Sequence, residues 1–174
     1  MGLGGTRMES AELVSLAERR VFSSSFKPLY DEGMALVEEA AEYLDGEGRA
    51  EAKRLSRVAA TLYAAESMRL TTRLMQLASW LLLQRAANAG EMTRDQVAAE
   101  KSKVRLDTAS AQDNAPGWGE LPDRFRDIVR HSLSLQALVR RMDEEVYGRA
   151  PVPARPANPV SDQIMLLNTA FGRL

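Results

Sequence analysis

Apolar side chains recur along most of this chain at steps of three and four residues, the spacing that gathers them on one side of a helix. Leu29, Gly33, Leu36, Ala40 and Tyr43 make the first such stripe. Ser23, Ser24 and Ser25 offer capping oxygens just ahead of it, Phe26 can pack back on the first turn, and Pro28 is tolerated near a helix start. The pattern therefore predicts a helix beginning at about Ser23, which Gly46 and Gly48 should end. From Arg49 to Asn88 the chain holds neither proline nor glycine and is rich in Ala, Leu, Met, Glu and Arg, which predicts one long central helix of up to about 60 Å. Leu70, Leu74, Leu77 and Leu81 form its main stripe, and Met68, Met75 and Leu82 widen the apolar surface. A helix of that length either projects from a compact domain or is covered in part by a second subunit. Gly90 is a stop signal, and Thr93 with Gln96 matches a capping box that should start a short helix through Val97 and Val104.

Residues 107–119 carry Ser, Asp, Asn, Pro and two glycines around a single large apolar residue, Trp118, and read as a loop. Pro122 suits a first helical turn, and Phe125, Ile128, Ser132, Leu135, Val139, Met142 and Val146 then follow at steps of three and four, the clearest amphipathic helix in the chain. After Gly148 the prolines Pro151, Pro153, Pro156 and Pro159 forbid helix and ladder and mark a linker. Ser161 can cap a last short helix with Val160, Ile164, Leu167 and Phe171 on one face, which needs a surface to land on. No segment alternates with period two, so the expected fold is all-α: a three-helix bundle with a long central helix, an extra short helix and a flexible carboxyl-terminal tail. With Gly2, Gly4 and Gly5 a poor start for a packed element, residues 1–22 are expected to be a flexible amino-terminal segment, 23–147 the helical bundle and 148–174 the proline-rich linker and tail.

Charge and composition remove several functions. With 24 acidic and 23 basic side chains the formal charge is −1, which disfavours a phosphate-binding surface built by displacing counterions. There is no cysteine, hence no thiolate metal site or cysteine nucleophile, and a reducing cytoplasm is the expected location. The first twenty residues include Glu9, Glu12 and Glu18 without a continuous apolar block, unlike a signal peptide or a membrane span. Phosphate-cradling glycine loops and the nucleophile elbow are absent. His131 is the only histidine, and a solvated pair with Asp127 one turn earlier explains it better than catalysis does. No catalytic, metal-binding or cofactor-binding residue is expected.

Candidate binding residues fall in the central helix and the tail. Glu66, Arg69 and Arg73 sit at spacings that allow mutual pairing and form either a partner-reading patch or an ordinary solvated or interhelical ion pair. Leu70, Leu74, Met75, Leu77, Trp80 and Leu81 are assigned to the core or to a dimer contact, because apolar residues on so many sides suit a helix touching others on two faces. Ile164, Leu167 and Phe171 are the tail's candidate contacts.

The run from Glu66 to Arg85, Glu-Ser-Met-Arg-Leu-Thr-Thr-Arg-Leu-Met-Gln-Leu-Ala-Ser-Trp-Leu-Leu-Leu-Gln-Arg, resembles the RcdA family, regulators of CtrA degradation in bacterial cell-cycle control. The resemblance extends upstream through Phe26-Lys-Pro-Leu-Tyr-Asp-Glu-Gly and downstream to Gly90-Glu-Met-Thr. It implies a non-enzymatic adaptor with a helical-bundle body, dimeric, that joins a ClpXP protease primed by CpdR and presents substrates directly or through a PopA-like adaptor. It implies recruitment to a cell pole with the protease, while the charge balance and the short apolar runs lead to the expectation of no nucleic-acid or membrane partner. The alternative from another class is a helix-turn-helix-like DNA-binding regulator, against which the near-neutral charge and the long central helix both count.

Overall fold

The computed structural model describes residues 6–148, with side chains from Ser24 onward apart from that of Arg94. Among them the chain is all-α: α1 (Thr6–Asp45), α2 (Glu47–Ala52), α3 (Arg57–Asn88), α4 (Arg94–Lys101) and α5 (Asp123–Tyr147), with a 3₁₀ turn at Trp118–Glu120 before α5. The three long helices α1, α3 and α5 make the bundle, and its compact unit ends at Met142. The proline-rich linker and the tail residues Ile164, Leu167 and Phe171 lie outside the described residues.

Four boundaries differ from the sequence pattern, one of them the end of α4, which stops at Lys101 and leaves Val104 outside the short helix expected to include it. Helix α1 starts at Thr6, not at the Ser23–Ser25 caps, so residues 6–22 are helical and Pro28 sits inside the helix. Pro28 is exposed, so the intrahelical bond its missing N–H withholds is lost on the solvent side, where it costs least. The expected central helix is two helices. Ser56 accepts a hydrogen bond from Ala59 N at 3.3 Å and caps α3, so residues 53–56 form a corner that neither glycine nor proline announces. Gly48 lies within α2, which adds a second short helix to the one expected. The capping box at Thr93 is formed: Gln96 N donates to Thr93 Oγ1 at 3.3 Å and Thr93 N to Gln96 Oε1 at 2.9 Å.

Contacts fix the helix directions. Tyr30 meets Arg85 and Gly33 meets Leu81, so α1 and α3 run antiparallel. A Cβ on Gly33 would lie 2.3 Å from Leu81 Cδ1, so the missing side chain sets how closely these helices approach. Phe125 stacks on Tyr43 and packs at a tilt against Tyr63, while Arg73 reaches Ser132, so α5 runs parallel to α3. Parallel neighbours require a connection that travels the length of the bundle. That connection is residues 89–122. It is held at Gln84 by Lys101, at Gln76 and Arg73 by Thr108, at Glu66 by Ser110 and Ala111, and at Ala59 by Gly117. Trp118, Leu121 and Leu106 close the core from this side.

Candidate functional site

Helix α3 carries two unlike surfaces, and both bear on function. The inward one is polar at its middle. Glu66 and Arg73 are each 0% exposed. Glu66 accepts hydrogen bonds from Ala111 N at 2.9 Å and from the Ser110 hydroxyl and the Arg69 guanidinium. Arg73 donates Nε to the Thr108 carbonyl at 3.2 Å, one terminal nitrogen to the Ala109 carbonyl at 3.3 Å and the other to Ser132 Oγ at 2.7 Å. Gln136 Nε2 also donates to the Thr108 carbonyl at 3.3 Å, and the Thr108 hydroxyl donates to Gln76 Oε1 at 2.8 Å. These side chains mostly hold the main chain of residues 108–111, which crosses the bundle without a sheet or helix to satisfy its own polar groups.

Burial pushes the Glu66 carboxyl up, but the bonds from Ser110, the Ala111 amide and Arg69 outweigh it, so the group titrates below the ordinary carboxylate range. Burial likewise lowers Arg73 from its usual value while the nearby Glu66 charge raises it, and a guanidinium so placed stays cationic. Of the three residues assigned to a partner-reading patch, Glu66 and Arg73 are therefore engaged by the chain's own crossing segment. Arg69 alone keeps an accessible side chain, 46% exposed and paired to Glu66.

The sequence reading missed the residues that complete this cluster, Gln76, Thr108, Ser110 and Gln136. One signal was available: Ser132 stands in the otherwise apolar stripe of α5, where a hydroxyl calls for a buried polar partner. A second buried cation, Lys101, was also missed. Its ammonium sits 4.0 Å from the centre of the Trp80 ring and donates to Gln84 Oε1 at 2.8 Å, fastening α4 to α3. His131 pairs across the bundle with Glu32 at 2.7 Å, not with Asp127, which sits beside Arg130.

The outward surface of α3 is apolar. Leu70, Leu74, Leu77, Trp80 and Leu81 fill the bundle's own core, whereas Met75 is 66% exposed. Met68 at 70% and Leu82 at 48% lie one heptad before and after it, so the three share a face. Thr61, Ala64, Thr72 and Ser79 fill the positions between and beyond them. The hydroxyls of Thr61, Thr72 and Ser79 donate to the carbonyls four residues earlier, turning methyl and methylene groups outward. The stripe runs for about 30 Å without a charged side chain of its own.

Against known proteins, residues 17–171 match the family described as protein of unknown function DUF1465. The chain belongs to this family. Its fold is similar to the crystal structure of RcdA from Caulobacter crescentus CB15, with 44% sequence identity, a TM-score of 0.59, and coverage of 72% of this chain and 92% of that one. The protein is thus an RcdA-like member of the DUF1465 family. No curated protein sequence matches it. Among the described residues, no helix is long and apolar enough to cross a membrane.

Proposed function

We propose that this protein is a non-enzymatic adaptor in regulated proteolysis. It delivers cell-cycle regulators of the CtrA type to a ClpXP protease primed by CpdR, directly or through a PopA-like adaptor, in the cytoplasm and at the pole where the protease gathers. The observation that carries this reading is 44% identity to RcdA across 92% of that chain. The geometry supports it through the outward face of α3, since an exposed heptad of Met68, Met75 and Leu82 suits protein contact better than solvent.

In this reading the body is a homodimer through α3. Met68 and Met75 flank Thr72 at four and three residues, and small residues Ala64 and Ser79 lie beyond them. A second copy packed antiparallel about Thr72 sets each methionine against its counterpart, as a two-fold contact requires. Arg69 and the tail residues Ile164, Leu167 and Phe171 are left for protease, adaptor or cargo, the proline-rich linker keeping the tail at high local concentration.

The test is a reconstituted degradation assay with ClpXP, CpdR and a CtrA-type substrate. Substrate loss accelerates only when both CpdR and this protein are present, and removal of residues 160–174 abolishes the acceleration. A rate indifferent to this protein with several substrates overturns the reading.

A further inference from the structure

The corner between α2 and α3 carries a charge imbalance that the fold does not use. Lys53, Arg54 and Arg57 are exposed within five residues, and among the described residues none of them has a carboxylate partner. Acidic groups in the same corner are engaged elsewhere: Asp45 sits by Arg49 at 3.6 Å, Glu47 binds Arg124 at 2.7 Å, and Glu51 accepts from the Tyr43 hydroxyl at 2.7 Å. Three unneutralised like charges repel one another, and Arg57 stands in the first turn of α3, which holds no acidic residue and where a cation is disfavoured. The chain carries 24 acids to 23 bases, yet among the described residues no carboxylate stands against these three.

Amid these cations Val58 is 54% exposed and Leu55 half-buried. The corner is also prebuilt. Arg54 N donates to the Glu51 carbonyl at 3.0 Å, Ala60 N to the Ser56 carbonyl at 2.8 Å, and Gly117 of the crossing segment packs directly behind Val58 and Ala59. A ligand there would not have to order the backbone first.

We propose that Lys53, Arg54 and Arg57 around Val58 form a docking surface for an acidic segment of another protein, one that carries an aliphatic residue among its carboxylates. The cationic rim selects the acids and sets the salt dependence, while Val58 supplies the dry contact at the centre. Three cations on a chain of formal charge −1 are too few for a nucleic-acid track, and lipid-binding basic clusters usually hold roughly four to eight. The proposal rests on charge and exposure and holds whether or not the protein serves a protease.

The experiment uses the full chain and a fluorescein-labelled 15-residue peptide of alternating Glu, Asp, Leu and Val, followed by anisotropy. A peptide with every acid replaced by Lys, a short DNA duplex and phosphatidylserine vesicles are run beside it. The acidic peptide binds, and its affinity falls about tenfold as salt rises from roughly 50 to roughly 300 mM. Combined Lys53→Glu, Arg54→Glu and Arg57→Glu substitution abolishes binding, Val58→Ser weakens it several-fold at unchanged salt dependence, and Arg141→Glu changes nothing. All variants lie at exposed positions, and unchanged circular dichroism and thermal midpoint confirm that they fold. The proposal is overturned if the charge-reversed variant binds as before, if the Lys peptide binds equally, if only DNA or vesicles bind, or if the acidic peptide fails to bind at about millimolar concentration.

Discussion

At the scale of single residues, the fold depends on two buried charges that mostly grip main chain. Arg73 serves Thr108, Ala109 and Ser132 together, so Arg73→Met strands the Ala109 carbonyl, leaves Gln136 as the remaining side-chain donor to Thr108, and removes a second cation near Glu66, which keeps Arg69. Loss of one member of such a network costs about 3–5 kcal/mol, measurable by urea unfolding. Glu66→Gln should cost about 1–3 kcal/mol at neutral pH. Because the Glu66 carboxyl titrates below its unfolded value, its contribution is complete above the ordinary carboxylate range and disappears as pH falls through the depressed folded value. The gap between the native chain and Glu66→Gln should therefore narrow on acidification, and urea midpoints that stay equally separated at pH 7 and pH 3 would rule this out. Main-chain reading gives a sharper contrast at position 111. Ala111→Pro removes the N–H that Glu66 accepts and should be severely destabilising, whereas Ser110→Ala should cost about 1 kcal/mol. The sequence pattern showed that Glu66 and Arg73 lie on related faces of a helix. It could not show that they point inward, because their ligands are backbone atoms some forty residues away whose identity leaves no mark in side-chain chemistry.

At the scale of elements, α3 divides its residues between a core face and an outer face, and the sequence blurred the two. The spacing that joins Leu70, Leu74, Leu77 and Leu81 is legible because all four face one hydrophobic core. Met75 follows the same chemistry on the other side, and apolarity alone does not say which side is solvent. The corner at residues 53–56 escaped detection for a related reason: Lys, Arg, Leu and Ser suit a helix, and only the Ser56 cap breaks it. Pro28 misled in the opposite direction, since a proline on the solvent side of a long helix is tolerated. The outer face yields a separable prediction. Met75→Glu removes no core contact within one chain, so the unfolding free energy of the monomer should stay within about 0.5 kcal/mol of the native value. If a second copy covers this face, the same substitution buries a charge there and should convert a dimer to a monomer in sedimentation equilibrium. A native chain that sediments as a monomer, or a dimer unchanged by Met75→Glu, would remove α3 from the interface.

At the scale of the whole molecule, the parallel arrangement of α3 and α5 sets the design. Two antiparallel helices need only a short turn, and α1 with α3 is such a pair, built from near neighbours in sequence. Helix α5 can lie beside α3 in the same sense only after residues 89–122 have carried the chain back along it, and loop closure makes that the later and costlier step. All-α class and the three long helices followed from periodicity; the crossing did not, because a loop rich in Ser, Asp, Asn and Gly looks solvated whether or not buried side chains hold it. The crossing segment and α5 share Arg73 through Thr108 and Ser132, and share Gln136 through Thr108, so they should open together. Native-state hydrogen exchange on Arg73→Met should show protection lost in concert at Ala111 and in the middle of α5, with the facing turns of α1 and α3 still protected to higher free energy. Uniform loss across all three helices would mean that the bundle opens as one unit and that Glu66 and Arg73 stabilise it globally. Separate loss at Ala111 alone would make the crossing segment a covering over a bundle that stands without it.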